Sequence, residues 1–198
     1  PMIVTDQTFE AAMAQIHATP VLSYDLETTG LRPYAGDRLF GVAVNGDYFP
    51  FRHKRGVNLP ESCLFDLLHE LTSGRHTLLG FNSVRFDAPM VASEGQFYYE
   101  RILSDDRIPQ IDVMVEALIA NENEPSFSLE NLSKKYLGAA GRKSGEKAHI
   151  LGRVRAAGFP KVRSARAAMA HLSYLTPEEI APCALADPAA AAARPEIY

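Results

Sequence analysis

The sequence predicts an α/β fold: a mixed β-sheet flanked by helices, with a helical C-terminal half. Three observations carry this. Strand-like runs alternate with helical patterns through the first half. Two of those runs are joined by Asn45-Gly46, a two-residue hairpin signal. Past the midpoint the apolar residues keep helical spacing. At 198 residues and 46% hydrophobic, the chain can bury a substantial core, and a single domain over residues 1–198 is expected.

Pro20–Glu27 has strand composition, and Leu39–Val44 follows it. Asp47–Phe51 returns across the Asn45-Gly46 turn. Leu59–Thr72 is predicted helical: Leu64, Leu67, Leu68 and Leu71 make one face, Asn58 and Glu61 form a capping-box pattern, and Gly74 stops the run. Thr77–Phe81 reads as a short buried strand leading into a turn at Asn82-Ser83 and a short helix. Ser128 caps a helix carrying Leu129, Leu132, Tyr136 and Leu137, which Gly138 ends. Gly138–Gly145 is small, polar and basic, the composition of a mobile loop. The last helix opens at Thr176-Pro177-Glu178-Glu179, with Thr as N-cap, Pro at N1 and Glu at N3.

No apolar run reaches the roughly 18 residues that span a bilayer, so no membrane partner is expected. No basic-then-apolar leader opens the chain. Cys63 and Cys183 form no disulfide or metal framework, and a reducing, cytoplasmic setting is the default expectation. The net charge of −4 is unevenly spread. Ten basic residues and one acid lie between Lys134 and Arg166, a net +9, which leaves −13 for the rest. Such a segment suits a polyanion, or else forms a solvated helical face.

The chemistry-bearing residues are acids. Asp25 and Glu27 close the first long strand, and residues two apart on a strand point to one side. Two adjacent carboxylates repel unless a cation lies between them, and hard oxygen ligands suit Mg²⁺ or Mn²⁺. Asp87 follows the strand Thr77–Phe81 and falls in a first helical turn, where an acid also answers the helix dipole. Asp187 lies four residues after Cys183, so one continuous helix would put both on a shared face; a solvated helical acid is the plain alternative.

Asp25–Leu31 (DLETTGL), Gly80–Asp87 (GFNSVRFD) and Cys183–Asp187 (CALAD) resemble, in order, the three exonuclease motifs of the DEDD superfamily. Asp112–Gly138 also resembles the stretch between the second and third motifs in proofreading domains of bacterial and phage family A DNA polymerases. The resemblance runs from about Val21 to Asp187. It implies a ribonuclease-H-like fold and two divalent ions, Mg²⁺ or Mn²⁺, held by Asp25, Glu27, Asp87 and Asp187. One ion would activate the attacking water and the other stabilise the leaving oxygen. Thr28, Leu31, Asn82 and Phe86 match positions that contact the terminal nucleotide, the leucine as a wedge. Lys143 and Lys147, within the basic segment, would touch the DNA backbone. The implied activity is 3′–5′ hydrolysis at the 3′ end of single-stranded DNA, with a DNA polymerase as partner in cis or in trans.

The third motif departs from the family. Members place a Tyr four residues before the last Asp, or a His five before it, to orient the attacking water; here those positions are Cys183 and Pro182. A thiol is a weak, short donor that cannot reach the phenol's position, so Cys183 stands at a catalytic position but reads better as a small buried helix residue. Pro188 is expected to kink or end the helix just after Asp187. A weakened exonuclease is therefore expected. An exoribonuclease resembling ribonuclease D, or a non-catalytic module that binds nucleic acid or braces a polymerase, are the competing readings.

Overall fold

A computed structural model describes residues 2–95, 99–138 and 146–192, without the side chains of 146, 147, 187 and 191. In chain order the elements are β1 (Met2–Ile3), α1 (Phe9–Ala18), β2 (Val21–Thr28), β3 (Leu39–Val44), β4 (Asp47–Pro50), α2 (Glu61–Leu71), β5 (Thr77–Gly80) and α3 (Asp87–Glu94). Then come α4 (Arg101–Ser104), β6 (Gln110–Asp112), α5 (Val113–Ala120), α6 (Leu129–Tyr136), α7 (Glu146–Ala156), α8 (Ala165–Ala168), a 3₁₀ turn (Met169–Tyr174), α9 (Pro177–Ala184) and α10 (Ala186–Ala192).

The described strands form one sheet in the order β1-β4-β3-β2-β5-β6. β2, β3 and β4 are antiparallel neighbours, and β5 and β6 extend the sheet in parallel with β2. The predicted hairpin forms: Asn45 and Gly46 take φ of 49° and 93°, the positive angles a type I′ turn needs. Side chains alternate across β2. Leu22, Tyr24 and Leu26 join the larger core, where α1, α2 and α3 supply Phe9, Ile16, Leu64, Leu68 and Met90. Asp25 pairs with Ala43, which pairs with Tyr48, so these three share the other face. There Ala43 and Tyr48 pack under Val154, Leu172, Ile180 and Ala184 of the C-terminal helices.

Two expectations need correction. Asn58 does not cap α2, whose N-cap is Pro60; its side chain instead accepts from His53 N–H at 2.8 Å and donates to His53 O at 2.9 Å. The last helix is also not continuous. α9 begins with the predicted capping box, Thr176 N–H donating to Glu179 Oε2 at 2.9 Å, but ends at Ala184, and α10 starts at Ala186. Pro188 explains the break: its ring would strike the carbonyl four residues back, at Ala184. It sits instead in the first turn of a new helix, where no N–H is required. The break therefore precedes Asp187 rather than following it.

Among the described residues no helix is long and apolar enough to cross a membrane. Of the predicted loop Gly138–Gly145, residues 139–145 lie outside the described residues.

Candidate active site

β2 delivers two acids to one face and then bends. Asp25 and Glu27 are both half-buried near its C-terminal end, and the ladder with β3 shifts register between Glu27 and Thr28. Such a bulge re-aims side chains where pairing ends. β5 pairs with β2 only as far as Ser23, so the next inward-edge amide, Leu26 N–H, lacks a strand partner on that side.

Asp87 supplies that partner. Its Oδ1 accepts from Leu26 N–H at 3.1 Å, joining residues 61 apart in sequence between the two acids of β2. Asp87 is only 2% exposed. Burial pushes its carboxyl well above the usual range, and the nearby Asp25 carboxylate pushes it further, against the pull of the Leu26 amide.

The turn that presents Asp87 is held by a residue the sequence reading missed. Asp112, 5% exposed at the end of β6, accepts from Asn82 N–H at 2.8 Å, Val84 N–H at 3.2 Å and Met114 N–H at 3.0 Å. One carboxylate thus caps α5 and pins the 82–84 turn, where Asn82 takes φ 58°. The signal was present as an Asp directly before the apolar helical run Val113–Ala120.

Tyr48 was missed as well. Its phenol lies on the Asp25 face with its hydroxyl where a Cβ of Gly41 would be: an added methyl there would meet Tyr48 Oη at 2.0 Å. Gly41 is the cross-strand partner of Glu27, so the phenol reaches toward the acids. Its pKa rises first through burial and then through the Glu27 and Asp25 charges. His53 fixes the ring from behind: its Nδ1–H donates to Leu175 O at 2.7 Å, which leaves Nε2 to accept from Tyr48 Oη at 2.8 Å.

The remaining predicted residues are placed unequally. Thr28 donates its hydroxyl to Gly30 O at 2.8 Å, so it shapes the strand exit. Leu31 is 76% exposed just beyond. Asn82 is half-buried, and Phe86 packs partly into the larger core. Cys183 is a half-buried thiol in the last turn of α9. α10, which carries Asp187, packs on β2, β5 and α6, so its backbone lies against the strand that bears Asp25 and Glu27. The side chains of Asp187 and Lys147, and all of Lys143, lie outside the described residues. Within the basic segment Lys135 pairs with Glu124, Arg153 donates to Glu179 O, and Arg155 to Val162 O at 2.8 Å. Those three cations are engaged by the protein itself.

The donor set matches a hard divalent ion in kind: carboxylate oxygens whose mutual repulsion already disfavours the charged form of Asp87. Among the described residues, no three His, Cys, Asp or Glu side chains converge closely enough to hold a metal alone.

Residues 22–150 match the RNase_H_2 model of the RNase_H superfamily. No curated protein matches. Among solved structures, the chain is similar to the zinc-bound form of E. coli exonuclease I with single-stranded DNA, at 20% identity and a TM-score of 0.46, over 58% of this chain and 34% of that one. It is also similar to E. coli exonuclease I with a 5cy-dT13 oligonucleotide, at 17% identity and a TM-score of 0.46, over 78% and 39%. The chain thus spans a little over a third of the length of those proteins.

Proposed function

The chain belongs to the RNase_H superfamily, and from that premise we propose that it is a divalent-metal-dependent 3′–5′ exonuclease of the proofreading type, acting on the 3′ end of single-stranded DNA. One observation carries the reading: Asp87 bonds the backbone between Asp25 and Glu27, so two acidic motifs far apart in sequence meet at one strand end.

Asp25, Glu27 and Asp87, with Asp187 from α10, would hold Mg²⁺ or Mn²⁺. Bound there, the ions supply an activated water and charge stabilisation at the leaving oxygen. The chain's own residues do the rest. The Leu26 amide and Asp112 hold Asp87 and its turn in place. Leu31, which stands exposed, would be the wedge against the terminal bases, and Thr28, Asn82 and Phe86 would line the nucleotide site. Lys143, Lys147 and their basic neighbours guide the strand electrostatically. Cys183 cannot orient water as a phenol would, which supports a slow enzyme. A polymerase in cis or in trans, a cytoplasmic setting and a single-domain organisation belong to the same proposal.

The test is gel electrophoresis of 5′-labelled single strands with Mg²⁺ or Mn²⁺. Stepwise shortening that vanishes in Asp25→Ala is expected. Shortening of RNA but not DNA would reassign the substrate, and binding without any shortening would make the chain a non-catalytic module.

A further inference from the structure

We propose that the loop between β2 and β3 is a base-stacking platform for single-stranded DNA, with Tyr34 as the stacking residue at its tip. The loop is closed at its neck, where Thr29 N–H donates to Arg38 O and Arg38 N–H to Thr29 Oγ1, both at 2.9 Å. A bond from Arg32 N–H to Asp37 Oδ2 at 2.9 Å braces its middle. The tip is a β-turn closed by Ala35 N–H donating to Arg32 O at 3.1 Å, with Pro33 in the second position and Tyr34 in the third. Tyr34 has φ 65°. A positive angle there marks a type II turn, which glycine or asparagine suits and a bulky side chain strains.

Packing gives little back for that strain. Tyr34 is 67% exposed and Leu31 76%. Stability alone would favour glycine at this position, as at Gly36, where φ is 93° and the space around is open. A strained backbone holding an aromatic ring in water points to a ligand for the ring. Placement says which ligand. The loop leaves β2 at the strand end that carries Asp25 and Glu27, so it starts where the acidic site is built. Arg32 sits on the same tip, its side chain 76% exposed, 3.5 Å from Asp37. Aromatic faces with cations beside them take up successive bases of a single strand regardless of sequence. The inference rests on the exonuclease reading only for its choice of ligand.

The chain contains no tryptophan, so Tyr34→Trp introduces a unique fluorophore at the tip. Oligo-dT is titrated in EDTA, where no cleavage interferes, and binding of a 5′-labelled strand is followed in parallel by anisotropy. Saturable quenching of the tryptophan is expected, with an affinity near that of the unaltered chain. Tyr34→Gly is expected to bind about tenfold more weakly while its thermal midpoint rises by about 2–4 °C. Unchanged emission at saturating oligonucleotide overturns the proposal, as does a Tyr34→Gly that binds as tightly, or an unaltered chain that does not bind. The two readings fail separately: quenching without cleavage in Mn²⁺ removes the exonuclease and leaves the platform, whereas cleavage without quenching removes the platform alone.

Discussion

Asp87 is where folding and chemistry pull in opposite directions. Its carboxyl is buried, repelled by Asp25, and held by a single strand amide. In the metal-free protein the charged form is disfavoured, so its folded pKa is raised, and stability falls as pH rises above the ordinary carboxylate range. Asp87→Asn keeps an oxygen for the Leu26 amide and removes the repulsion. In EDTA at neutral pH, calorimetry should show a higher thermal midpoint for this variant, a gain that shrinks toward pH 4. Its cleavage rate in Mn²⁺ should nevertheless fall by about a hundredfold or more. A variant both less stable and fully active would mean that Asp87 is only a structural acid. At this scale the placement of Asp25 and Glu27 on one strand and of Asp87 at a helix start was legible, because strand alternation and a helix start are local patterns. Asp112 and Tyr48 were not read as site residues, because their partners lie on other elements.

Elements are placed by a few residues that end or pin them. The N-caps at Ser128 and Thr176 could be read because each pattern is complete within four residues. The break between α9 and α10 was placed a turn late, because a proline disturbs the carbonyl four residues before it and not its own neighbourhood alone. Asn58 lies two residues before the N-cap Pro60, and its side chain is taken up by the His53 backbone instead. Asp112 shows what such a pin contributes. Asp112→Ala would leave three amides without their acceptor and should lower the thermal midpoint by about 5–10 °C, checked by calorimetry. Asp112→Asn should recover only part of this. Its oxygen can still serve Asn82 and Met114, but its NH₂ group then faces the donor of Val84.

Across the whole molecule, the mixed sheet and its flanking helices were legible in outline, since each strand run and helical face appears in sequence. What ties α3 to the start of β3 was not. Glu94, at the end of α3, is buried and receives Arg38 Nη2 at 2.9 Å, Arg52 Nη1 at 2.8 Å and Leu39 N–H at 2.8 Å. Burial alone would raise its pKa, but the Arg38 hydrogen bonds, the Leu39 amide and Arg52 together hold it below the ordinary value. A depressed folded pKa gives stability that is present above the ordinary glutamate value, about 4.3, and is lost as pH falls through the folded one. Glu94→Gln should therefore lower the thermal midpoint by about 5 °C at pH 7 and flatten its decline between pH 5 and 3. An unchanged acid profile would assign that decline to other carboxylates.

The gap at Gly41 constrains what this sequence can become. The phenol of Tyr48 occupies the volume that any other residue at 41 would claim, with Glu27 across the ladder and His53 behind the ring. Even alanine would have to evict an aromatic ring that has no exposed direction in which to retreat. Mutational drift at position 41 is therefore blocked unless position 48 changes with it, and the two should be inherited as a pair.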